Sequence, residues 1–170
     1  HSPATASLPR RWCSFLLGDA CFAVAADIVV EVLRGRPLAR VPLAARGVLG
    51  LIHLRGRIVP VIDPAVSLAV PREQRTPSGP HLVIELGDDW YGLRVDEMLE
   101  VSEIPSDRIE RPLTGGEGLF GTFAAETRLV HLLDPERMIH SLVRQSAHHS
   151  TRPGCQPAHI VPRMVAARRF

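Results

Sequence analysis

The chain has 170 residues, of which 45% are hydrophobic, so it is long enough for one folded domain or two small ones that bury a core. All 20 of its basic residues are arginine, against 18 acidic residues, and charges interrupt every apolar stretch well before the roughly 20 residues that a transmembrane helix needs. The first nine residues lack the layout of a secretory signal, and the three cysteines form no paired pattern, so we expect reduced thiols, a cytoplasmic location and no membrane insertion.

Five strands are predicted in the first half, from short apolar runs that turn residues separate. Gly18-Asp19 predicts a tight turn between the first two strands, and Arg55-Gly56 predicts another between the last two. The predicted strands are Trp12 to Leu17, Ala20 to Ala25, Val29 to Leu33, Val48 to Leu54 and Arg57 to Ile62.

A connector is predicted over Pro71 to Pro80, which contains three prolines and no apolar periodicity. A second set of five apolar runs follows it. These predicted strands are Leu82 to Leu86, Trp90 to Val95, Leu99 to Glu103, Gly118 to Ala124 and Arg128 to Leu133.

Five strands on each side of the connector predict a mostly β protein with two similar small barrels, at about 12–70 and about 80–134. Closing a short sheet removes its exposed edges, which is why a barrel is expected. A short helix is predicted over 135–143, with Pro135 in its first turn and Met138 and Leu142 on one side. Residues 1–11 are expected to be a flexible segment, and residues 145–170 a flexible basic tail.

Charge is segregated along the chain. Residues 1–80 carry a net charge of +5, residues 81–140 a net charge of −8, and the last thirty residues a net charge of +5. Six arginines and no acidic residue lie between Val32 and Ile62, close to glycines at 47, 50 and 56. Arginine suits capture of a partner's carboxylate, and glycine permits close approach of another backbone, so this segment predicts a docking surface.

No residue pattern predicts catalysis or metal binding. The histidines at 53, 81, 131 and 140 are scattered at no ligand spacing, and no serine lies in a nucleophile motif. The glycine cluster at 114–118 lacks the lysine of a phosphate-binding loop. We therefore expect neither an enzyme nor a cofactor nor a bound metal.

Four blocks in this order resemble the CheW family of chemotaxis coupling proteins, over about Trp12 to Leu142. They read FLLGDACFAVAADIVVEVLR from Phe15, VPLAARGVLGLIHLRGRIVPVID from Val41, LVIELGDDWYGLRVDEMLEVSEIP from Leu82, and GLFGTFAAETRLVHLLDPERMI from Gly118.

The resemblance implies two SH3-like five-stranded barrels that share a core and have no catalytic activity. It also implies two partners: the cytoplasmic tip of a chemoreceptor, bound in a groove between the barrels, and the regulatory domain of a signalling histidine kinase, bound at barrel ends. By position, it assigns receptor binding to Val29, Glu31, Val32, Gly50 and Arg55, and kinase binding to Arg40 and Val41.

The chain departs from the family pattern at four positions in the central block. The family commonly has Pro at Ala45, Asn at His53, Leu at Pro64 and Gly at Ala69. The basic tail is not part of the family pattern either.

Two alternatives to the adaptor stay open at this point. A CheW-like regulatory domain from a kinase, or from a fused adaptor, would have the same pattern. A small barrel that binds nucleic acid is the more distant alternative, because such barrels stack bases on exposed aromatic side chains and aromatics make up only 5% of this chain. We therefore expect no nucleic-acid partner.

Overall fold

The structure, a computed structural model, describes residues 10–112 and 118–149, the last seven of them by their backbone alone. These residues form ten strands and two α-helices, with single 3-10 turns at Ala26–Ile28, Arg72–Gln74 and Ser106–Arg108. The elements are β1 (Arg10–Leu17), β2 (Ala20–Ala25), β3 (Val29–Leu33), β4 (Val48–Leu54), β5 (Arg57–Ile62), α1 (Pro64–Leu68), β6 (His81–Leu86), β7 (Asp89–Arg94), β8 (Glu97–Ile104), β9 (Leu119–Ala124), β10 (Leu129–Leu133) and α2 (Pro135–His149).

Each of the ten strands lies within two residues of its predicted bounds. The strand β1 begins earlier than predicted because Arg10 and Arg11 pair with Ile104 and Glu103 of β8. Two residues of the predicted flexible N-terminal segment are therefore strand, and the other nine lie outside the described residues.

The helices differ more from the prediction. The short helix α1 was missed because its apolar residues carry no helical period over five positions; Asp63 caps it by accepting a hydrogen bond from the Ala65 amide at 3.1 Å. The helix α2 continues to His149, six residues beyond its predicted end, since no glycine or proline stops it before that point. Residues 145–149 are thus helical, and residues 150–170 of the predicted tail lie outside the described part of the chain.

Each of the two sheets contains strands from both halves of the chain. One sheet, here sheet A, has the order β8-β1-β2-β10-β9, and the other, sheet B, has the order β3-β6-β7-β5-β4. The predicted division into one unit at 12–70 and another at 80–134 is therefore wrong, because the first hairpin of each half joins the sheet of the other half. The alternation of apolar and polar residues along a strand indicates which face of the strand is buried, but it does not indicate which other strand pairs with it.

Neither sheet is a closed barrel in its hydrogen bonding. Among the described residues, no ladder joins the edge strands β8 and β9 of sheet A, or β3 and β4 of sheet B. Instead, a short segment crosses one edge strand of each sheet. Residues 38–39, here strap B, bridge to β4 through Ala39 and Leu51, while residues 109–110, here strap A, bridge to β9 through Glu110 and Thr122.

Buried side chains form three clusters. The largest, here the shared cluster, lies between the sheets and contains residues from both, and Met138, Ile139 and Leu142 of α2 pack into it. A second cluster lies inside sheet A around Trp12 and Leu132, and a third lies inside sheet B around Ile52 and Val59. The side chains predicted for the buried face of the helix are thus confirmed by their packing.

Candidate protein-binding surface

Three of the predicted receptor contacts lie on β3, an edge strand of sheet B. Val29 and Val32 are half-buried and pack against the shared cluster between the sheets. A bulge between Val29 and Glu31 then places Glu31 opposite Val83, a residue of the cluster inside sheet B. The strand therefore places two apolar side chains at the junction of the sheets and one carboxylate on the interior side of sheet B.

Glu31 and Arg55 form an ion pair between the two edges of sheet B. Arg55 Nη2 lies 2.9 Å from Glu31 Oε1, and the side chains are 62% and 28% exposed. Arg55 occupies the β4–β5 turn, where positive φ angles of 51° at Arg55 and 75° at Gly56 make a type I′ hairpin turn. The pair lacks the alignment of a hydrogen bond, so we expect it to add only about 0–1 kcal/mol to stability.

Beside this ion pair, two arginines flank the ring of Trp90. The guanidinium carbon of Arg57 lies 4.5 Å from the ring centroid, and that of Arg55 lies 6.0 Å from it. The Trp90 Nε1 donates a hydrogen bond to Glu85 Oε2 at 2.6 Å. Sequence reasoning did not identify Arg57 or Trp90 as members of the surface, although the two arginines on either side of Gly56 are a visible signal for it.

Gly50 lies beneath strap B. A Cβ atom at this position would be 2.7 Å from the carbonyl oxygen of Ala39 and 3.0 Å from Leu38 Cβ. Ala39 and Leu51 exchange two backbone hydrogen bonds, of 2.9 Å and 2.8 Å. Gly50 is therefore covered by the chain itself, and its role is to let strap B lie against β4.

The predicted kinase contacts follow strap B directly. Arg40 is exposed and Val41 is half-buried. The whole connection from β3 to β4 contains no acidic residue, and each of its four arginines is exposed: Arg34, Arg36, Arg40 and Arg46. This connection is basic and largely exposed, whereas the two valines of β3 are apolar and half-buried.

A buried arginine joins the two sheets, which sequence reasoning also missed. Arg75 pairs with Asp63 and Asp96, and only 9% of its side chain is exposed. Asp96 also accepts a hydrogen bond from the Gly18 amide in the β1–β2 turn of sheet A. Burial alone would lower the pKa of the guanidinium, but the hydrogen bonds and charges of the two aspartates outweigh it and raise that pKa. The connector that the sequence predicted as irregular thus carries a structural ion-pair network.

The remaining titratable groups with shifted pKa values are explained by burial. Burial lowers the pKa of His131, and burial with the nearby charge of Arg94 lowers the pKa of His81. Burial raises the pKa of the Cys13 thiol and of the Cys21 thiol, the latter against the opposing effect of Arg128. These shifts describe neutral groups held inside a fold.

Within residues 10–112 and 118–149, no three His, Cys, Asp or Glu side chains are placed to hold a metal ion. In the same part of the chain, no helix has the length and apolar character that crossing a bilayer requires. What the described residues offer is a set of surfaces: a half-buried apolar strand, a charged edge and a basic connection.

These features define a two-sheet β domain that presents surfaces for protein contact. The model of the CheW-like domain matches residues 11–143, and the chain belongs to this family. The recognised resemblance is thereby confirmed.

Several relatives carry the same description. The chain is 28% identical over 144 residues to the chemotaxis protein CheW of Rhizobium meliloti, covering 81% of this chain and 92% of that protein. It is 25% identical over 133 residues to the chemotaxis protein CheW of Helicobacter pylori, covering 76% and 81%. A crystal structure of the scaffolding protein TtCheW from Thermoanaerobacter tengcongensis has the same fold, with a TM-score of 0.68 and 23% identity over 75% of this chain and 90% of that one.

Proposed function

We propose that this protein is an adaptor that couples chemoreceptors to a signalling histidine kinase through two separate surfaces, without catalysis. The observation that supports this most directly is the match to the CheW-like domain, which extends over residues 11–143 and so includes both sheets. Relatives that match most of the chain are chemotaxis proteins of this family, which favours the adaptor over a kinase-derived regulatory domain. The adaptor acts in the cytoplasm, where its buried free thiols Cys13 and Cys21 stay reduced.

The receptor surface is the junction of the sheets beside β3. A helical receptor tip would cover Val29 and Val32, and an acidic receptor side chain would exchange with Glu31 for the guanidinium of Arg55, which is 62% exposed. Gly50 contributes indirectly, by keeping strap B against β4. Apolar contact supplies most of the affinity and the charged pair supplies orientation.

The kinase surface is the basic β3–β4 connection. Arg40 and Val41 lie there next to strap B, and three further exposed arginines surround them in sequence. Such a surface suits an acidic patch on the regulatory domain. The SH3-like sheet of the kinase regulatory domain and the adaptor would then meet end to end.

The test is a reciprocal pair of substitutions, Arg55→Ala and Arg40→Ala. We expect Arg55→Ala to weaken binding to a soluble receptor fragment that contains the cytoplasmic tip by about 2 kcal/mol, roughly thirtyfold, because a central arginine would be lost. Its affinity for the kinase regulatory domain should stay unchanged. Arg40→Ala should have the opposite pattern, and titration calorimetry at physiological salt measures all four affinities.

The two outcomes separate the surfaces. If Arg55→Ala binds the receptor fragment as tightly as the unaltered protein, the assignment of the receptor surface is wrong. If neither partner binds the unaltered protein, the adaptor function itself fails. Circular dichroism of both variants checks that they remain folded.

A further inference from the structure

The strand β8 is an edge strand of sheet A with an acidic surface. It pairs with β1 on one side, and among the described residues no strand pairs with it on the other. Residues 97–110 carry five acidic side chains, all exposed, against the single arginine Arg108. Val101 lies among them and is 49% exposed. Such an edge offers apolar contact, negative charge and free backbone groups to another segment of chain.

The two sheets are equivalent strand by strand. In sheet order, β8, β1, β2, β10 and β9 of sheet A correspond to β3, β6, β7, β5 and β4 of sheet B. Each sheet has one parallel pair, which sets the register: Ala23 lies opposite Leu132 in sheet A, and Gly92 lies opposite Val61 in sheet B. Positions in the two sheets can be compared by counting from these pairs.

This comparison places a glutamate at the same position on both edge strands. In β3, Glu31 follows a bulge and lies opposite Val83. The strand β8 has a bulge at the equivalent place, where the Ser14 hydroxyl donates to the carbonyl oxygen of Glu100 at 2.9 Å. Counting from the two bulges, Glu100 is the equivalent of Glu31.

The turns that face these glutamates carry opposite charges. In sheet B, Arg55 of the β4–β5 turn pairs with Glu31 at 2.9 Å. The equivalent turn of sheet A joins β9 to β10 and is closed by a hydrogen bond from the Ala125 amide to the Arg128 carbonyl. Its residue at the position of Arg55 is Glu126. Sheet A therefore has a carboxylate where sheet B has a guanidinium.

The two glutamates of sheet A lack a counter-charge. Among the described residues, neither Glu100 nor Glu126 forms an ion pair. Arg128 lies in the cleft between β8 and the β9–β10 turn, but its side chain hydrogen-bonds to the Cys21 thiol. Like charges on the two sides of a cleft repel each other, and a cation between them replaces repulsion with attraction. Sheet A therefore lacks the cation that pairs with the edge glutamate in sheet B.

The chain itself contains a basic segment that can supply this cation. Residues 150–170 carry four arginines and no acidic residue, and residues 163–169 contain three of them beside the apolar Met164 and Val165. The chain from His149, where α2 ends, to Arg163 spans up to about 45 Å when extended. A compact domain of this size has a radius of gyration of only about 14 Å. The basic segment is therefore long enough to reach β8.

A second copy of the same edge is a poorer occupant. Pairing β8 of one chain with β8 of another would bring Glu97, Glu100 and Glu103 of both chains together, and like charges on paired strands are destabilising. An acidic partner protein is disfavoured for the same reason. A segment of the same chain has the complementary charge and, because it is tethered, a high effective concentration.

We propose that residues 163–169 of this chain bind along β8 and place an arginine between Glu100 and Glu126, in the role that Arg55 has in sheet B. The apolar residues of the segment contact Val101, and the bound segment covers the free edge of the strand. This docking follows from sheet A and the charge of the segment. It does not depend on the adaptor function, whose proposed surfaces belong to sheet B and its β3–β4 connection.

A nitroxide on the basic segment tests the proposal in the full chain, because a nitroxide broadens the NMR signals of nearby amides. The label is attached at Ala167→Cys in a chain that also carries Cys155→Ser. The two remaining cysteines, Cys13 and Cys21, are buried and so are protected from labelling.

We expect the amide signals of Glu100 and Glu126 to broaden, and the amide signal of Arg40 in the β3–β4 connection to stay sharp. The broadening should be lost at about 1 M salt, where the Debye length is only about 3 Å. Equal broadening of all three signals would mean unspecific attraction and would overturn the proposal, as would no broadening at either glutamate.

A charge reversal at the turn provides the second arm. Glu126→Arg gives sheet A the cross-edge pair that sheet B already has, so it should expel the segment and abolish the broadening at Glu100. The matched control is Asp88→Arg, which makes the same change of charge at an exposed residue of the β6–β7 turn in sheet B and should leave the broadening intact. Equal broadening in the two variants overturns the proposal.

Two further measurements identify the occupant. Arg168→Gln with Arg169→Gln, which leaves every described residue unchanged, should also reduce the broadening at Glu100; an unchanged signal would show that charge does not hold the segment there. In an equimolar mixture of isotope-enriched chains without the label and labelled chains without enrichment, Glu100 should stay sharp. Broadening in that mixture would mean that the segment of a second copy binds, and it would overturn docking within one chain.

Discussion

Ala69 ends α1 with a backbone conformation that its side chain disfavours. The residue has φ 54° and ψ 38°, in the left-handed region, and its backbone N–H donates to the Ala65 carbonyl. A Cβ atom in this region costs about 1–2 kcal/mol, which is why glycine is common at this position of a helix end. The family pattern, which commonly has glycine here, follows from this conformation.

We predict that Ala69→Gly stabilises the protein by up to about 1 kcal/mol, since the steric cost exceeds the added flexibility of the unfolded chain. Ala69 is exposed, so little packing is lost. Urea unfolding followed by tryptophan fluorescence measures the change. The control is Ala65→Gly, inside the same helix, which should destabilise; an equal loss for both variants would contradict the explanation.

We predict that the buried His81 makes the stability of the folded protein depend on pH. The residue is 8% exposed on β6, between Leu33 of β3 and Arg94 of β7. Burial, and then the charge of Arg94, lower its pKa in the folded state. Unfolded histidine titrates near about pH 6.5, so as the pH falls below that value the unfolded state takes up a proton first. Stability is therefore complete above about pH 6.5 and decreases as the pH falls toward the folded pKa.

The measurement is the urea midpoint at about pH 7.5 and about pH 5.5. His81→Leu should lose less stability on acidification than the unaltered protein, while substitution of the exposed His53 by Gln should leave the decrease unchanged. His131, whose pKa burial also lowers, keeps part of the slope in both variants. If His81→Leu loses as much stability on acidification as the unaltered protein, His81 is not a group that causes the loss.

At the scale of elements, two glycines hold the two straps. Gly50 lies beneath strap B, and Gly121 lies in the equivalent position beneath strap A, where a Cβ atom would be 2.7 Å from the Glu110 carbonyl oxygen. These close contacts involve backbone atoms, which cannot move aside as a flexible side chain would. Each strap therefore depends on the absence of a side chain on the edge strand below it.

We predict that Gly50→Ala and Gly121→Ala each loosen one strap. Each should destabilise by about 1–3 kcal/mol, as overpacking does. Hydrogen exchange distinguishes them: Gly50→Ala should speed exchange of the Leu51 amide, which bonds Ala39, and Gly121→Ala should speed exchange of the Thr122 amide, which bonds Glu110. Faster exchange of both amides in both variants would mean a general loss of stability instead of a local one.

The positions of the strands were predictable, but their partners were not. Hairpin turns such as Gly18-Asp19 and alternating apolar runs mark where each strand begins and ends. The exchange of β1 and β2 into sheet A depends on long-range pairing, such as Trp12 with Ser102, which a local pattern cannot specify. The helix α1 was missed for a related reason, since five residues are too few to show a helical period.

Some residues of the candidate surface were assigned from the sequence, but the contacts between them were not. Glu31 and Arg55 were assigned from the family resemblance, but the ion pair between them was not, because they lie on opposite edges of a sheet. The contact of Trp90 with Arg57 was not predicted either, because it depends on the parallel pairing of β7 with β5. Gly50 was assigned a partner contact, whereas the structure places it beneath the chain's own strap.

At the scale of the whole molecule, the exchange of hairpins makes the two halves of the chain interdependent. Sheet A contains β1 and β2 from the first half, and sheet B contains β6 and β7 from the second. Arg75, at the end of the first half, is buried against Asp96 in the second. The first half provides two strands of sheet A and three of sheet B, and the second half provides three strands of sheet A and two of sheet B.

We predict that a chain divided after Ser78 yields two fragments that do not fold separately. Each fragment alone should give a poorly dispersed amide spectrum, because its apolar faces stay uncovered. An equimolar mixture should recover the dispersion of the intact protein, as the two fragments rebuild both sheets. A well-dispersed spectrum from either fragment alone would show that its half is an independent unit, contrary to the strand pairing.

The exchange also sets the order in which the protein can mature on the ribosome. The hairpin of β1 and β2 is synthesised first, yet its neighbours β8 and β10 follow more than seventy residues later, and β10 ends only at Leu133. Until then, Trp12 and Ala23, which are buried in the cluster inside sheet A, lack Val130 and Leu132 of β10 as packing partners. Sheets closed by such distant segments form slowly, and their exposed edges are prone to aggregate in the meantime. For this chain, sheet B, which is built from residues 29–94, can form well before sheet A, which must wait until β10 has been translated.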